Sequence, residues 1–434
     1  MKGRTMALWG GGALAASLAG ALLHGAGGGL ISFTAPAADT AVTSRSIQFF
    51  ETRLAADPHN FMVAGRLVGR YLLRFGTGAD LADVVRAEQL ARGLLDEAPD
   101  RGAAWSRLSG VLLTQHKFGE ALSAARAAVE RNPRDRDALG ALFDASLASG
   151  RYADAEAALD GLRPGSLDAL VRRAQWLDAQ GRSRGAFDAM DRVCRQLQRS
   201  AYRPSVIAWC LAELAKVEHN RTGPEAAEHL FREAVEVQPG YRGGIEGLAD
   251  LAYARGEWTG ARKLYRRIAA DAHPDLYLRL MELSGRLGEP GAAAAWERRF
   301  LGVAGDPAHE PLYGSTLALH LAERGLPPDR DRALAVARRE IERRPSNESY
   351  DGLAWVHYRR GELAEALMAS DRARHWGSAS PTMDYHRARI LEALGRSGEA
   401  EPLLRHATTH WSLLAPHARL DAEQRGGHGD TGRT

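Results

Sequence analysis

From Trp105 to Pro133 apolar and polar positions follow one another at the period of a helix. Trp105, Leu108 and Leu112 fall at i, i+3 and i+7, the stripe of one amphipathic helix. In the next helix small residues hold the matching face, at Ala121, Ala125 and Ala128. Pro133 ends it, because proline cannot continue a helix interior. Alanine rather than leucine is required where two helices cross closely, so the stretch predicts a tightly packed helix–turn–helix unit.

The unit recurs along the chain. Small residues that open a second helix stand at Ala87, Ala121, Ala155, Ala186, Ala227, Ala261, Ala293, Ala333, Ala366 and Ala400. Their successive gaps are 34, 34, 31, 41, 34, 32, 40, 33 and 34 residues. A period near 34 predicts stacked helix pairs, each burying an apolar stripe that it cannot bury alone. The expected fold is all-α: a superhelical solenoid of about ten repeats over residues 61–410. Three places depart from the period: an insertion around Gly76-Thr77-Gly78-Ala79-Asp80, a longer loop with Pro327-Pro328, and the stretch Ser200-Ala201-Tyr202-Arg203-Pro204. The last marks a bend near residues 196–206 between two sub-arrays.

In this register the residues resemble the tetratricopeptide repeat, with its Trp, Leu-Gly and Tyr in the first helix and Ala, Phe, Ala and Pro in the second. Trp105, Leu108, Leu112, Ala121, Ala125, Ala128 and Pro133 occupy those places, with Ser109 where glycine is usual. A second copy has Ile245, Leu248, Ala249, Gly256, Trp258, Ala261, Tyr265 and Ile268, and a third has Tyr350, Leu353, Ala354, Gly361, Ala366 and Ala373. The resemblance covers roughly residues 46–410. It implies a binding module whose concave surface is lined by the first helices.

With the anchor alanine at position 20, positions 5, 9 and 12 of each first helix are expected to face that groove. They read Gly140, Asp144 and Leu147; Val171, Gln175 and Asp178; Glu246, Asp250 and Tyr253; Leu278, Glu282 and Gly285. Further on they read Asp351, Trp355 and Tyr358, then Tyr385, Arg389 and Glu392. Acid dominates the middle and aromatics the C-terminal part. One reading is a solvated face inherited by duplication; the sharper one is a groove for a basic or extended peptide with aromatic anchors. The family's clamp for C-terminal carboxylates, built from Lys, Asn and Arg at such positions, is not matched here.

The ends differ from the middle. Residues 41–60 form a linker and a capping helix at 46–56, and 411–434 form a C-terminal capping helix and a polar tail starting at Arg425. Lys2 and Arg4 precede a run from Met6 to Phe33 without a charge, followed by Ala35-Pro36-Ala37 as a cleavage site. Residues 1–40 therefore read as a signal peptide or an N-terminal membrane anchor, which places the array outside the cytoplasm.

Composition narrows the chemistry. Lys+Arg of 57 against Asp+Glu of 54 gives +3, a balance that argues against a nucleic-acid partner. Only Cys194 and Cys210 exist, which rules out a disulfide framework and a zinc ribbon. They read first as two buried thiols, and as one bridge if the compartment is oxidising. No GxSxG, GxxxxGK[ST], HExxH or EF-hand loop occurs, so no cofactor and no catalytic residue is assigned. His357 and His386, in adjacent first helices, read as satisfied interior histidines. The function expected is a non-enzymatic scaffold of the cell envelope that binds a protein or extended peptide in the groove. The alternative is an accessory factor delivering a metal or small ligand through His406, His410 and His417.

Overall fold

The computed structural model describes residues 37–78, 81–180, 182–200, 202–268, 274–375, 380–411 and 414–425. The expected export or anchor segment, Met6 to Phe33, and the end of the polar tail lie outside these residues. Among the described residues there are 22 α-helices and no strand, and no helix is long and apolar enough to cross a membrane.

A leading helix, α1 (Ala37–Ala56), precedes ten helix pairs. The first five are α2 (Phe61–Gly78) with α3 (Leu81–Glu97), α4 (Gly102–Thr114) with α5 (Phe118–Arg131), α6 (Arg136–Ala148) with α7 (Tyr152–Asp160), α8 (Leu167–Ala179) with α9 (Ser183–Arg199), and α10 (Pro204–Thr222) with α11 (Pro224–Val237). The second five are α12 (Arg242–Ala254) with α13 (Trp258–Ile268), α14 (Pro274–Arg286) with α15 (Pro290–Ala304), α16 (Glu310–Arg324) with α17 (Pro327–Arg343), α18 (Asn347–Arg360) with α19 (Leu363–Ala373), and α20 (Pro381–Ala393) with α21 (Ser397–Thr409). A last helix, α22 (Pro416–Gln424), follows them.

Every anchor alanine lies in the second helix of its pair, as the spacing predicts. Nine of the ten are at most 1% exposed, and only Ala293 is half-buried. The crossings are tight because a methyl group is all that separates the paired helices there. Apolar faces continue from unit to unit: the core around Trp209 runs from Leu170 in α8 to Leu251 in α12 without a break. α1 seals the first unit with Ile47, Phe50 and Leu54 against Leu67 and Tyr71, whose hydroxyl donates to Glu51 at 2.5 Å. It starts well before residue 46, so the N-terminal cap is longer than expected.

Cys194 of α9 and Cys210 of α10 are joined by a disulfide across the stretch where a bend was expected. This corrects the first reading of the pair as free thiols. Interior apolar positions on adjacent helices bring two Cα atoms to 5.5 Å, within bonding range.

The ribbon of repeats also touches itself edge to edge. His116, in the turn between α4 and α5, places Nδ1 2.9 Å from the carbonyl oxygen of Pro311 at the start of α16. Arg344 lies over the Phe118 ring at 5.5 Å, and Leu312 packs on the core that contains Phe118. One unit later, Gly150 sits so close to α18's entry that a Cβ there would lie 2.8 Å from the Pro345 carbonyl oxygen. Units two and three thus meet units eight and nine after one superhelical turn.

Candidate partner-binding groove

The first helices carry the groove residues, and their neighbours decide what those residues can do. Asp144 is buried with Arg172 of the next first helix, which reaches it at 2.7 Å and also bonds Asp168. Burial pushes Asp144 up to about 6 even beside that cation. Asp178 accepts from Asn220, and burial, reinforced by Glu213, pushes it up to about 7. Asp250 accepts from the Tyr265 hydroxyl at 2.5 Å and lies 3.6 Å from Arg279; burial raises its pKa. Glu282 accepts from the Tyr253 hydroxyl and from Arg286 at 3.1 Å, and burial takes it up to about 7. Asp351 is bound to His386 Nδ1 at 2.9 Å. Glu246 alone keeps much of its side chain in solvent, 3.7 Å from Arg242.

The expectation of a solvated acidic face therefore needs correcting. These carboxylates belong to the interior of the ribbon, where ion pairs and hydroxyl donors hold them. A sequence signal for this exists. Lys117 with Glu88, Arg126 with Asp154, Arg172 with Asp144, Tyr253 with Glu282, Arg255 with Glu228, Arg339 with Glu310 and Arg360 with Asp331 are all 27–29 residues apart. That spacing, five to seven residues under the 34-residue period, is the stagger at which neighbouring units bring polar side chains together.

The C-terminal half of the groove is occupied by α22. Expected as a cap on the last unit, this helix covers the first helix of that unit and also reaches those of units six, seven and nine. Arg419, 3% exposed, lies 4.4 Å from the centre of the Tyr253 ring. Burial, and after it Arg279, lower its pKa to about 10 against the opposing pull of Glu282 and Asp250. Glu423 pairs with Arg286 at 2.7 Å. Asp421 accepts from the Tyr385 hydroxyl at 2.8 Å and lies 3.7 Å from Arg359 and 3.5 Å from Arg389. Arg425, expected in a frayed tail, donates to Asp421 and, at 3.4 Å, to the Tyr358 hydroxyl. Trp355, fully buried, donates to Glu323 at 2.6 Å and stacks on His386 at 4.2 Å.

Of the sequence-predicted residues, Tyr253, Glu282, Trp355, Tyr358, Tyr385 and Arg389 converge on α22. Asp351 reaches it through His386 and Asp250 acts on Arg419 by charge, whereas Asp144 and Asp178 lie in earlier units and Glu246, in the same helix as Tyr253, pairs with Arg242 instead. The sequence reading missed Arg286, Arg359, Arg419 and Asp421, which complete the seat.

The histidines divide into two groups. His386 Nε2 faces His417 Nε2 at 2.9 Å. His386 Nδ1 bonds Asp351, so Asp351, His386 and His417 form one continuous chain of contacts. Burial, His386, Arg279 and Arg359 hold His417 well below the usual imidazole range. His406 instead bonds Asp384 at 2.6 Å, and His410 Nδ1 bonds the His406 carbonyl oxygen at 2.9 Å. His417 therefore does not join His406 and His410. No group of three or more His, Cys, Asp or Glu side chains among the described residues is arranged to hold a metal ion. His357 is buried and bound to Glu362 at 2.6 Å, an interior histidine with its partner.

Comparison with known proteins bears on the repeats themselves. One tetratricopeptide-repeat family model matches residues 112–175, and a second matches 213–277. No curated protein matches the chain. Among solved structures it is similar to the human IFIT1 dimer with PPP-AAAA, at 14% identity over 77% of this chain and 79% of that one, with a TM-score of 0.44. The human IFIT1 dimer with m7Gppp-AAAA is similar at 13% identity over 77% of each chain, TM-score 0.45. A structure from the functional characterization of Pseudomonas aeruginosa pilF is 17% identical over 53% of this chain and 89% of that one, TM-score 0.27. At these identities and scores the likeness carries nothing about function. The two matched stretches lie on either side of the Cys194–Cys210 joint, and helix pairs of the same kind lie between and beyond them, so this chain carries tetratricopeptide repeats.

Proposed function

We propose that this protein is a non-enzymatic scaffold of the cell envelope that binds a partner protein in the concave groove of its superhelix. Tetratricopeptide repeats mediate protein–protein interaction. The observation that carries the finer reading is the seat itself: first helices from four units present Tyr253, Trp355, Tyr358 and Tyr385 between Glu282 at one end and Arg359 and Arg389 at the other. Aromatic anchors flanked by charge are the composition of a binding centre. A partner that is merely basic fits one end only, so we assign the groove a segment bearing both signs.

Export follows from the uncharged run at Met6–Phe33 behind Lys2 and Arg4, acting as a signal or as an inner-membrane anchor. The Cys194–Cys210 disulfide supports this reading, because such bonds persist in oxidising compartments. Two experiments test the proposal. Residues 1–45 fused to a reporter active only outside the cytoplasm should give activity that is lost without Met6–Phe33. Capture from envelope extracts should enrich one polypeptide with the wild-type chain and not with Tyr358→Ala/Arg389→Glu; equal capture by both removes the groove from the function.

A further inference from the structure

The helix that fills the groove brings little apolar surface with it. Leu414, just before the helix, and Ala418 and Ala422 are buried in one cluster with Trp355 and Tyr385, the His417 ring lies 5.8 Å from that of Trp355, and the other contacts are made by charged side chains. Arg419 is almost completely buried, yet its Nε and Nη1 have no hydrogen-bond partner. Burying a cation with unmet donors is costly, and this cost is set against the few contacts that hold α22 in place. Segments of this kind open locally while the rest of the fold stays closed.

The seat is nevertheless specific in polarity. Its Tyr253 end carries Glu282 and takes an arginine, and its Tyr385 end carries Arg359 and Arg389 and takes a carboxylate. A helix laid in the opposite direction would set its arginine against Arg359 and Arg389 and take its acid away from the Tyr385 hydroxyl, which works against it.

We propose that this groove is the docking site for a short partner helix, and that α22 is the resident competitor which the partner displaces. The partner helix carries two small residues four apart, an arginine directly after the first and an acid two positions beyond the arginine, the pattern of Ala418, Arg419, Asp421 and Ala422. The small residues let the partner backbone approach the Trp355 and Tyr385 rings, as Ala418 and Ala422 do. The arginine stacks on Tyr253, and the acid accepts from the Tyr385 hydroxyl. This inference rests on the scaffold reading, since it names the chemistry of the segment that the scaffold binds.

The test uses the full chain and a fluorescent peptide of residues 414–425, followed by anisotropy. The Arg419→Ala/Asp421→Ala chain, whose own helix no longer fits, is expected to bind the peptide at least tenfold more tightly than the wild type. A peptide carrying both substitutions is expected to bind neither chain. Equal binding by wild type and variant, with the variant folded by circular dichroism, overturns the proposal. If the variant does not fold, hydrogen exchange in the wild type decides the matter. The α22 amides are expected to exchange at least tenfold faster than those of α20, and matched rates overturn displacement. Partner capture from envelope extracts that is unaffected by excess peptide overturns this inference and leaves the scaffold reading intact. Specific peptide binding without any captured envelope protein sinks the scaffold reading alone.

Discussion

His116 Nδ1 and the carbonyl oxygen of Pro311 meet at 2.9 Å across 195 residues of chain. His116 makes this contact from φ +57°, a backbone region that other units fill with glycine, as Gly150 does at φ +68°. A non-glycine residue there is strained, and the contacts to Pro311 and the stacked Phe118 ring at 5.2 Å hold it in place. Solenoids ordinarily bind only to their nearest neighbours. This one adds a second set of neighbours one superhelical turn away.

Gly150→Ala measures that closure. Gly165 has a similar φ of +79° with nothing near a Cβ, so Gly165→Ala should cost only the backbone term of about 1–2 kcal/mol. Gly150→Ala carries the same term and also drives a methyl group into the Pro345 carbonyl. Thermal unfolding should show the larger loss for Gly150→Ala; equal losses would mean that the ribbon edges are apart in solution.

The anchor alanines differ in a way that unfolding midpoints can detect. Ala121→Leu and Ala261→Leu place a larger side chain at fully buried crossings and should each destabilise by ~1–3 kcal/mol. Ala293→Leu, at the one half-buried anchor, should stay within about 0.5 kcal/mol of wild type. Equal costs at all three sites would contradict this packing.

The repeats were legible because close crossings demand a small side chain, and that demand returns every 34 residues or so from Ala87 to Ala400. First-helix membership of all eleven groove residues follows from the same register. Two things were not legible. The exposure of Asp250 and Glu282 depends on Tyr265, Tyr253 and arginines brought beside them by the stagger between units. Substituting lysine at either place therefore attacks the fold as well as the groove. The landing of Arg419 on Tyr253 depends on curvature accumulated over several units, for which the residues around Pro416 carry no local mark.

Asp178 gives a pH test. Its carboxyl is pushed up to about 7 by burial, from an ordinary value of 3.8. The folded state therefore binds this proton more tightly than the unfolded chain, and stability falls as pH rises from about 4 to 7. Asp178→Asn removes the penalty. It should stabilise the protein at pH 8 by up to about 4 kcal/mol, less whatever solvent around the partly exposed side chain screens, with the gain gone below pH 4. A gain that is constant with pH would assign the effect to packing.

The Asp144–Arg172–Asp168 triad makes the opposite demand. Arg172→Leu leaves two buried carboxylates facing each other without a cation, and should destabilise by ~3–5 kcal/mol at pH 7.5. Removing the cation raises the folded-state pKa of Asp144 further, so the loss should shrink as pH is lowered toward 5. Denaturant midpoints at the two pH values check both the size and the direction.

The covalent bridge between α9 and α10 also sets how the protein carries load. A chain pulled from its two ends pays out length as its units come apart, and the span from Cys194 to Cys210 cannot take part while its sulfurs are bonded. Those residues are 16 apart, so the contour released in a single-molecule extension should be shorter by roughly 50 Å than after reduction. Of the three places that depart from the repeat period, this joint is the one where tension passes through a covalent cross-link between helices.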